Sequence, residues 1–587
     1  MAESTTKDEI SLVEAQAQAS TPAPAADAAA ADGEEGAGPS KKAAKKAEAK
    51  AKKEAEKARR AAERAAQLAA TAAAQAEDHA VDNYGQETHD TKLSPDVTLI
   101  SLKNLGEEHL GKKVELRAWV QNSRMQGAKM AFLELREEGT WAIQGVVAVN
   151  AEGTVSKQMV KWIGSVNLES FVVVEATVEK PLEPVKSTRV QNYELHITKL
   201  FVVAAAPPVL GMTLATANKA VTNFSDEDTP VEEAVEKLTI EGQQPDTVPA
   251  ATMMTHLNQI VMHKRSAVQT AIADIRVEVK HAFRDYLRAR GFKEFEPPCL
   301  IGAASEGGSN VFGLKYFGAD AFLAQSPQFY KQIEIAGGRK RVFSVGPVFR
   351  AENSNTPRHM TEFTGLDLEA EIVHDYHEVM LILEGCLLNI FKVLEERCAR
   401  EIELVRSVYP SEPFLVPKEG EEVRLTFAEG QKLLREEGPE EYRNVSDFED
   451  MSTPQEKALG ALIRKKYKTD FYILDKFPAE ARPFYAKEDP ADRKVTNSYD
   501  FFMRQQEILS GGQRINDASE LSERCRTKGV DPESPGIKEY IDIFRQAGVP
   551  PHAGGGIGLD RVVAWYLGLP SVHLAAYYPR TPKRLTP

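Results

Sequence analysis

Four cysteines in 587 residues, Cys299, Cys386, Cys398 and Cys525, form no CxxC pair and no regular spacing. That excludes a disulfide framework, argues against a cysteine-built zinc site and suits a reducing compartment. Long apolar runs are missing as well: none approaches the roughly 18 residues of a membrane span. The N-terminus carries early Glu and Asp and no apolar core segment, so it reads as neither a secretory signal nor a transit peptide. These absences predict a cytoplasmic protein with no membrane partner. There is no GxxxxGK[ST] phosphate loop and no nucleophile elbow. His374 and His377 form an HxxH pair that lacks a third ligand, and they read as a helix surface. The net charge of -14 disfavours nucleic acid overall. A local basic face can still bind phosphates, because charges more than about 10 Å away are largely screened at physiological salt.

What is present divides the chain. Residues 1–40 are rich in Ala, Glu, Ser and Pro without apolar periodicity and read as a disordered tail. From 41 to 77 the chain is almost pure Ala, Lys, Arg and Glu. Lys42, Lys46, Lys50, Lys53, Lys57, Arg60 and Arg64 recur three and four apart, which lines them along one helix face. A solvated helix or spacer and a nonspecific RNA grip both fit. Residues 78–109 read as a polar linker. Over 110–206 the pattern predicts three strands (113–124, 131–137, 143–149), a helix (155–166) and two strands (171–180, 192–204). That order is the signature of an OB-fold β-barrel, whose face commonly binds single-stranded nucleic acid.

Residues 207–255 read as a hinge, and 256–587 as the largest domain. A long amphipathic helix carries Val268, Ile272, Ile275, Val279, Phe283 and Leu287 on one stripe, and Gly291 ends it. A strand leading to Pro298 follows. The stretch 376–470 is mostly helical by pattern. Strands are predicted at 470–477, 498–503 and 507–514, the last two as a hairpin around Arg504, Gln505 and Gln506. The whole reads as an α+β fold: a mostly antiparallel sheet flanked by helices, preceded by the barrel and the basic helix.

Two segments carry the chemistry. FRAENSNTPRHMTEFTGLDLE (349–369) predicts strand, polar turn and strand, with Arg350 at a strand end and Arg358 in the turn. GGGIGLDR (554–561) is a glycine run feeding a helix, with Arg561 in its first turn. Separate guanidinium forks suit separate phosphates of a triphosphate, and a helix N-terminus favours anions. A plain glycine turn before a core helix also fits the second segment. Asp500 and Glu507 face each other across the predicted hairpin. Two hard carboxylates suit Mg²⁺ completed by phosphate oxygens, and a solvated cross-strand pair fits as well.

The two arginine segments resemble motifs 2 and 3 of the class II aminoacyl-tRNA synthetases, in the eukaryotic or archaeal aspartyl form. The helix and strand before Pro298 resemble motif 1. The resemblance runs from about residue 110 to Pro587 and implies adenylation of L-aspartate by ATP with Mg²⁺, then transfer to tRNA(Asp) by a homodimer with Pro298 at its interface. It implies an ATP site of Arg350, Ala351, Glu352, Arg358, His359, Met360, Glu507, Gly558, Leu559, Asp560 and Arg561. Arg350, Arg561 and Glu507 are the catalytic set, and Glu507 and Asp500 the metal ligands. SPQFYKQ (326–332), SGGQR (510–514) and GLDLE (365–369) resemble aspartate-site segments. In that reading Lys331 and Arg514 take the side-chain carboxylate and Asp367 tunes them. Gln328, Ser510 and Glu306, the last in SEGGSNVF (305–312), lie nearer the amino group or α-carboxylate, with Arg350 also touching the amino acid.

In the barrel, Arg124, Phe132, Gln144 and Glu194 are the implied anticodon readers, while a core phenylalanine is the plain reading of Phe132. Lysine-rich extensions like 41–77 occur in cytosolic eukaryotic synthetases of this type as a tRNA grip. Two departures stand out: Asp560 replaces the commoner Glu, and Gly512 the frequent Ala. An asparaginyl or non-discriminating synthetase is the alternative function, and a catalytically silent RNA-binding paralogue a further one.

Overall fold

A computed structural model describes residues 78–87, 96–224, 248–305, 311–354 and 356–586. The basic segment 41–77 and Glu306 lie outside the described residues.

The barrel strands are β1 (Lys113–Met125), β2 (Met130–Arg136), β3 (Ala142–Ala148), β4 (Phe171–Glu179) and β5 (Glu194–Ala204). Alternate residues face inward: Val114, Leu116, Ala118 and Val120 on β1, and Val172, Val174, Ala176 and Val178 on β4, are buried in one core. β5 pairs parallel with β3 and antiparallel with β4, and β4 returns to β1, so the sheet closes. Helix α1 (Lys157–Ile163), capped by the Ser156 hydroxyl accepting from Met159 N–H, plugs the barrel with Met159, Val160 and Ile163. The 78–109 stretch is more than the expected linker. Tyr84–Gln86 and Thr98–Leu99 add short parallel strands to β5 and β1, and Ala80, Ile100 and Leu102 join the barrel core. Three isolated apolar residues in a polar stretch carry no readable period.

Helix α2 (Ala267–Arg288) buries the whole predicted stripe from Val268 to Leu287. Each such side chain contributes about 1.5–3 kcal/mol on burial. Gly291, at φ 81°, turns the chain into β6 (Lys293–Glu294). The large sheet then assembles from distant segments. They are β7 (Arg341–Phe349), β8 (Glu362–Glu371), β9 (Val423–Thr426), β10 (Phe471–Asp475), β11 (Ser498–Met503), β12 (Gln506–Gln513) and β13 (His552–Gly558). Their spatial order is β9-β10-β11-β12-β13-β8-β7-β6, antiparallel throughout the middle and parallel only in the two outermost pairs. The glycine run is therefore a central strand, not a turn, and helix α3 (Leu559–Leu567) follows it directly. The β11–β12 turn is Arg504–Gln505, both at positive φ (43° and 71°) as a two-residue hairpin demands. Arg504 tolerates this because its Nε donates to Trp565 O at 2.7 Å.

Strand parity sorts the sheet into two faces. Leu366, Leu368, Tyr499, Phe501, Ile557 and their neighbours meet α2, α3 and α4 (His377–Arg397) in the main core. Asp367, Glu369, Asp500, Ser510, Gly554 and Gly556 point the other way. His377, at the start of α4, bonds Asp475 and Asp375, both at 2.9 Å. No cluster of three or more His, Cys, Asp or Glu suited to a metal occurs among the described residues.

Candidate active site

At the floor, β8 and β13 lie side by side, with Asp367 opposite Gly556 and Glu369 opposite Gly554. A Cβ on Gly554 would fall 2.0 Å from Glu369 Oε2, and one on Gly556 2.9 Å from Asp367 Oδ1. The glycines thus make room for two buried acids. Two cations meet them. Lys331, from helix α5 (Gln328–Ala336), places Nζ 3.0 Å from Asp367 and 3.5 Å from Glu369. Arg514, just past β12, bonds Glu369 through Nε at 3.1 Å and Nη2 at 3.4 Å. Burial alone would raise the Glu369 carboxyl, but Arg514 and Lys331 outweigh it and hold it below the usual carboxylate value.

Under this quartet runs a hydrogen-bond chain. His552 Nδ1 donates to Pro550 O at 2.8 Å, leaving Nε2 to accept from Gln332 at 2.9 Å. Gln332 Oε1 accepts from Gln328 Nε2 and Tyr540 OH, each at 2.8 Å. Burial depresses the His552 pKa, so the ring stays neutral and its tautomer is fixed.

Further along the same cleft lie Arg350, Arg358 and Arg561 with Glu352, His359, Met360, Glu507, Ser510 and Gly558. Arg350 rests over the Phe363 ring at 5.4 Å, with Glu352 3.9 Å from its Nη1. Arg561 donates from Nη1 to Glu507 O at 3.0 Å, and the Glu507 carboxylate is 3.8 Å away. Burial, partly countered by Glu507, lowers the Arg561 pKa, and Arg350 and Arg358 add to the effect. Their mutual repulsion is relieved by a polyanion. His359 is held by Thr356 Oγ1 at 2.7 Å, and burial pulls its pKa down. Of the expected nucleotide contacts, the Leu559 side chain is in the main core, outside the cleft, because the strand-to-helix junction turns it inward. Ala351 does not line the cleft among the described residues.

Asp500 and Glu507 are not directly opposed. Asp500 pairs with Ser510 and Glu507 with Phe502, because a bulge between Phe501 and Phe502 shifts the register. The bulge brings Glu507 to the site face diagonal to Asp500. Asp500 Oδ2 is 2.8 Å from Arg482 Nη2, while Oδ1 is buried without a hydrogen-bond partner. Glu456, from helix α6 (Thr453–Tyr467), approaches from the side, 3.7 Å from Arg358. Glu369, which the GLDLE segment offers beside Asp367, joins the site, whereas Gln332, Arg482, Glu456 and His552 escape a sequence reading.

On the barrel, Arg124 sits opposite Phe132 with its guanidinium 5.2 Å from the ring. Gln144 donates to Glu194 at 2.8 Å across the parallel β3–β5 pair. By strand parity Phe132 and Gln144 share one outer face. Phe132 is half-buried there, outside the core.

A sheet of this order, with arginines at the β7 end and at the start of α3 and an acid-lined floor, defines a class II synthetase catalytic domain. The profile of "tRNA synthetases class II (D, K and N)" matches residues 252–582, and the chain belongs to that family. The cytoplasmic aspartate–tRNA ligase of Rattus norvegicus is 43% identical over 514 residues, covering 87% of this chain and 96% of its own length. Aspartate–tRNA ligase 1, cytoplasmic, of Arabidopsis thaliana is 40% identical over 510 residues, covering 86% and 90%. Among solved structures, aspartyl-tRNA synthetase from Entamoeba histolytica superposes with a TM-score of 0.73 at 36% identity, covering 86% of this chain and 96% of that one. Asparaginyl-tRNA synthetase from Pyrococcus horikoshii, complexed with asparaginyl-adenylate, gives 0.66 at 29%, covering 83% and 99%.

Proposed function

We infer that the protein is an aspartate–tRNA ligase: it activates L-aspartate with ATP to aspartyl-adenylate and transfers the aspartyl group to the 3′ end of tRNA(Asp). The observation that carries the amino-acid choice is the buried quartet of Lys331, Arg514, Asp367 and Glu369. A substrate carboxylate inserted beside Lys331 and Arg514 meets two fixed cations. An amide there would forgo one of the two charge-assisted bonds and turn its own N–H donors toward a cationic donor, a mismatch that a site built for hydrogen bonding rejects strongly.

A carboxylate is already a nucleophile, so the protein's task is positioning and charge stabilisation. Arg350, which lines the same cleft, spans the α-phosphate and the attacking carboxylate. Arg561 and Arg358 hold the outer phosphates, and Glu352, His359 and Met360 frame the base. Gln328, Ser510 and Glu306 serve the amino group and α-carboxylate. Glu507, beside Arg561, and Asp500, whose Oδ1 lacks a hydrogen-bond partner, would supply hard oxygens for Mg²⁺, with phosphate oxygens completing its shell. When bound, the ion neutralises phosphate charge.

Arg124, Phe132, Gln144 and Glu194 read the anticodon by stacking and edge hydrogen bonds, and residues 41–77 grip tRNA phosphates. A homodimer closes over Pro298, which lines a groove with Pro297, Pro327 and Pro347. The protein works in the cytoplasm, and among the described residues no helix is long and apolar enough to cross a membrane. ATP–pyrophosphate exchange driven by aspartate but not asparagine is the expected result. Exchange driven equally by both would replace this reading with a non-discriminating enzyme, and exchange with neither would point to a silent RNA-binding protein.

A further inference from the structure

Arg276 is a guanidinium on the apolar face of α2, 5% exposed, between Ile275 and Val279. Its Nη1 donates to Asp560 Oδ1 at 2.5 Å and to Ala575 O at 3.1 Å, and its Nη2 donates to Thr364 Oγ1 at 2.9 Å. Asp560 Oδ2 in turn accepts from Thr364 N–H at 3.2 Å. One side chain therefore ties α2 to the first turn of α3 and to β8. Each tie ends next to a substrate cation. Asp560 precedes Arg561, and Thr364 follows Phe363, the ring under Arg350. The Asp560 carboxylate is largely taken up by these bonds and is 2% exposed, while the residue also lines the cleft.

We propose that Arg276 is a positioning residue for the triphosphate: it sets the spacing between Arg561 and Arg350 by holding Asp560 and Thr364 in one fork. The inference rests on the adenylation reading above. The long arm of Arg276 carries a planar fork from α2 to the short Asp560 carboxylate and to Thr364 together. Two donor nitrogens fix an angle as well as a distance, which a single ammonium cannot do.

The test is aspartate-dependent ATP–pyrophosphate exchange on the full chain, with circular dichroism and melting recorded alongside. Arg276→Gln alone strands a buried carboxylate and endangers folding, so the decisive variant is Arg276→Gln/Asp560→Asn, which removes both charges. Arg276→Lys, which keeps the charge but loses the fork, is run with it. The expected result is a folded protein whose KM for ATP rises roughly ten- to a hundredfold, as misplacement of a binding group by about 1 Å produces. The KM for aspartate stays within about twofold, and the rise is smaller in Arg276→Lys. A folded variant with the parental KM for ATP, or with both KM values raised alike, overturns the proposal. So does loss of the fold in both variants, which would make Arg276 a structural residue only. A parental protein that exchanges with no amino acid would instead sink the functional reading itself.

Discussion

Arg514 and Glu369 are joined through two guanidinium nitrogens, at 3.1 and 3.4 Å, with the acid fully excluded from water and the arginine nearly so. Lys331 shares the same acid, so the cations that face the substrate are already balanced before it arrives. Lys331→Met breaks that balance from the cationic side. Losing one member of a buried charge pair costs about 2–5 kcal/mol, a drop of roughly 30-fold to a few thousand-fold in kcat/KM for aspartate. Asparagine should be rejected less severely, because its amide no longer faces an ammonium. Exchange kinetics with the two amino acids check this; an unchanged ratio between them would remove Lys331 from side-chain readout.

Arg350 is held by contact rather than by charge. Its backbone N–H donates to Thr361 O at 2.9 Å and its side chain lies on Phe363, with the carboxylate of Glu352 no nearer than 3.9 Å. A guanidinium so lightly paired is available to phosphate. Arg350→Ala should lower pyrophosphate exchange by about two to three orders of magnitude, the usual effect of deleting a transition-state donor. The tRNA dissociation constant should stay within about twofold, since the barrel is untouched. Filter binding and exchange, measured on the same preparation, separate the two effects.

Glu456 gives the site a pH signature. Burial first, then the neighbouring Glu507, pushes its carboxyl from 4.5 to about 8, against the pull of Arg358. Burial likewise raises Asp500 to about 7, eased by Arg482 and reinforced by Glu507. Both folded values lie above the unfolded ones, so the folded chain keeps protons that the unfolded chain has released. The resulting stability is fully present below about pH 4.5 and is lost as pH rises through about 8. The ligand-free protein should therefore melt lower at about pH 8 than at about pH 6, and Glu456→Gln should flatten that slope. Calorimetry across this window would expose a wrong assignment as an unchanged slope.

Local pattern and long-range pairing explain what could be read in the chain beforehand. The α2 stripe, the barrel strands and the β11–β12 hairpin each repeat a period within a short window, and the packed structure keeps them. Arg350, Arg561 and Lys331 sit in long, unusual segments. The resemblance places Asp560 at the nucleotide, and it does line the cleft; its buried partner Arg276, 284 positions away, is what spacing could not show. Asp500 and Glu507 looked opposed because nothing local announces the bulge at Phe501. Glu456 comes from the stretch 376–470 that reads only as helical, and Arg482 from the segment between two predicted strands, where no pattern marks a site. Charge pairs brought together by topology leave no trace in spacing.

The basic run from Lys42 to Arg64 supplies a prediction that does not depend on the catalytic domain. If it grips tRNA, deleting residues 1–77 should weaken binding and flatten the plot of log K against log salt by about 0.7–0.9 per phosphate contact removed. An identical slope would make the segment a spacer.

The barrel and the catalytic domain share one buried acid. Glu169 accepts from Arg136 at 3.1 and 2.7 Å, and its Oε2 also accepts from Arg265 at 2.9 Å. It does so from a left-handed backbone (φ 68°), a strain of about 1–2 kcal/mol that two guanidiniums can offset. Arg136 donates on to Gln121 at 3.0 Å, and Gln121 to Glu134 at 2.8 Å. Glu134 lies opposite Gln144, the partner of Glu194. A polar path thus leads from the expected anticodon face to Arg265, two residues before α2 begins. Arg265→Ala cuts it at the catalytic end and leaves the Arg136–Glu169 pair whole. Aspartate-dependent exchange, which needs no anticodon, should be unchanged. Aminoacylation of tRNA should fall by about 0.5–2 kcal/mol, the range typical of coupling residues, or roughly 2- to 30-fold in kcat/KM. Equal losses in both assays, or none in either, would reduce the Glu169 cluster to a mechanical joint between the two domains.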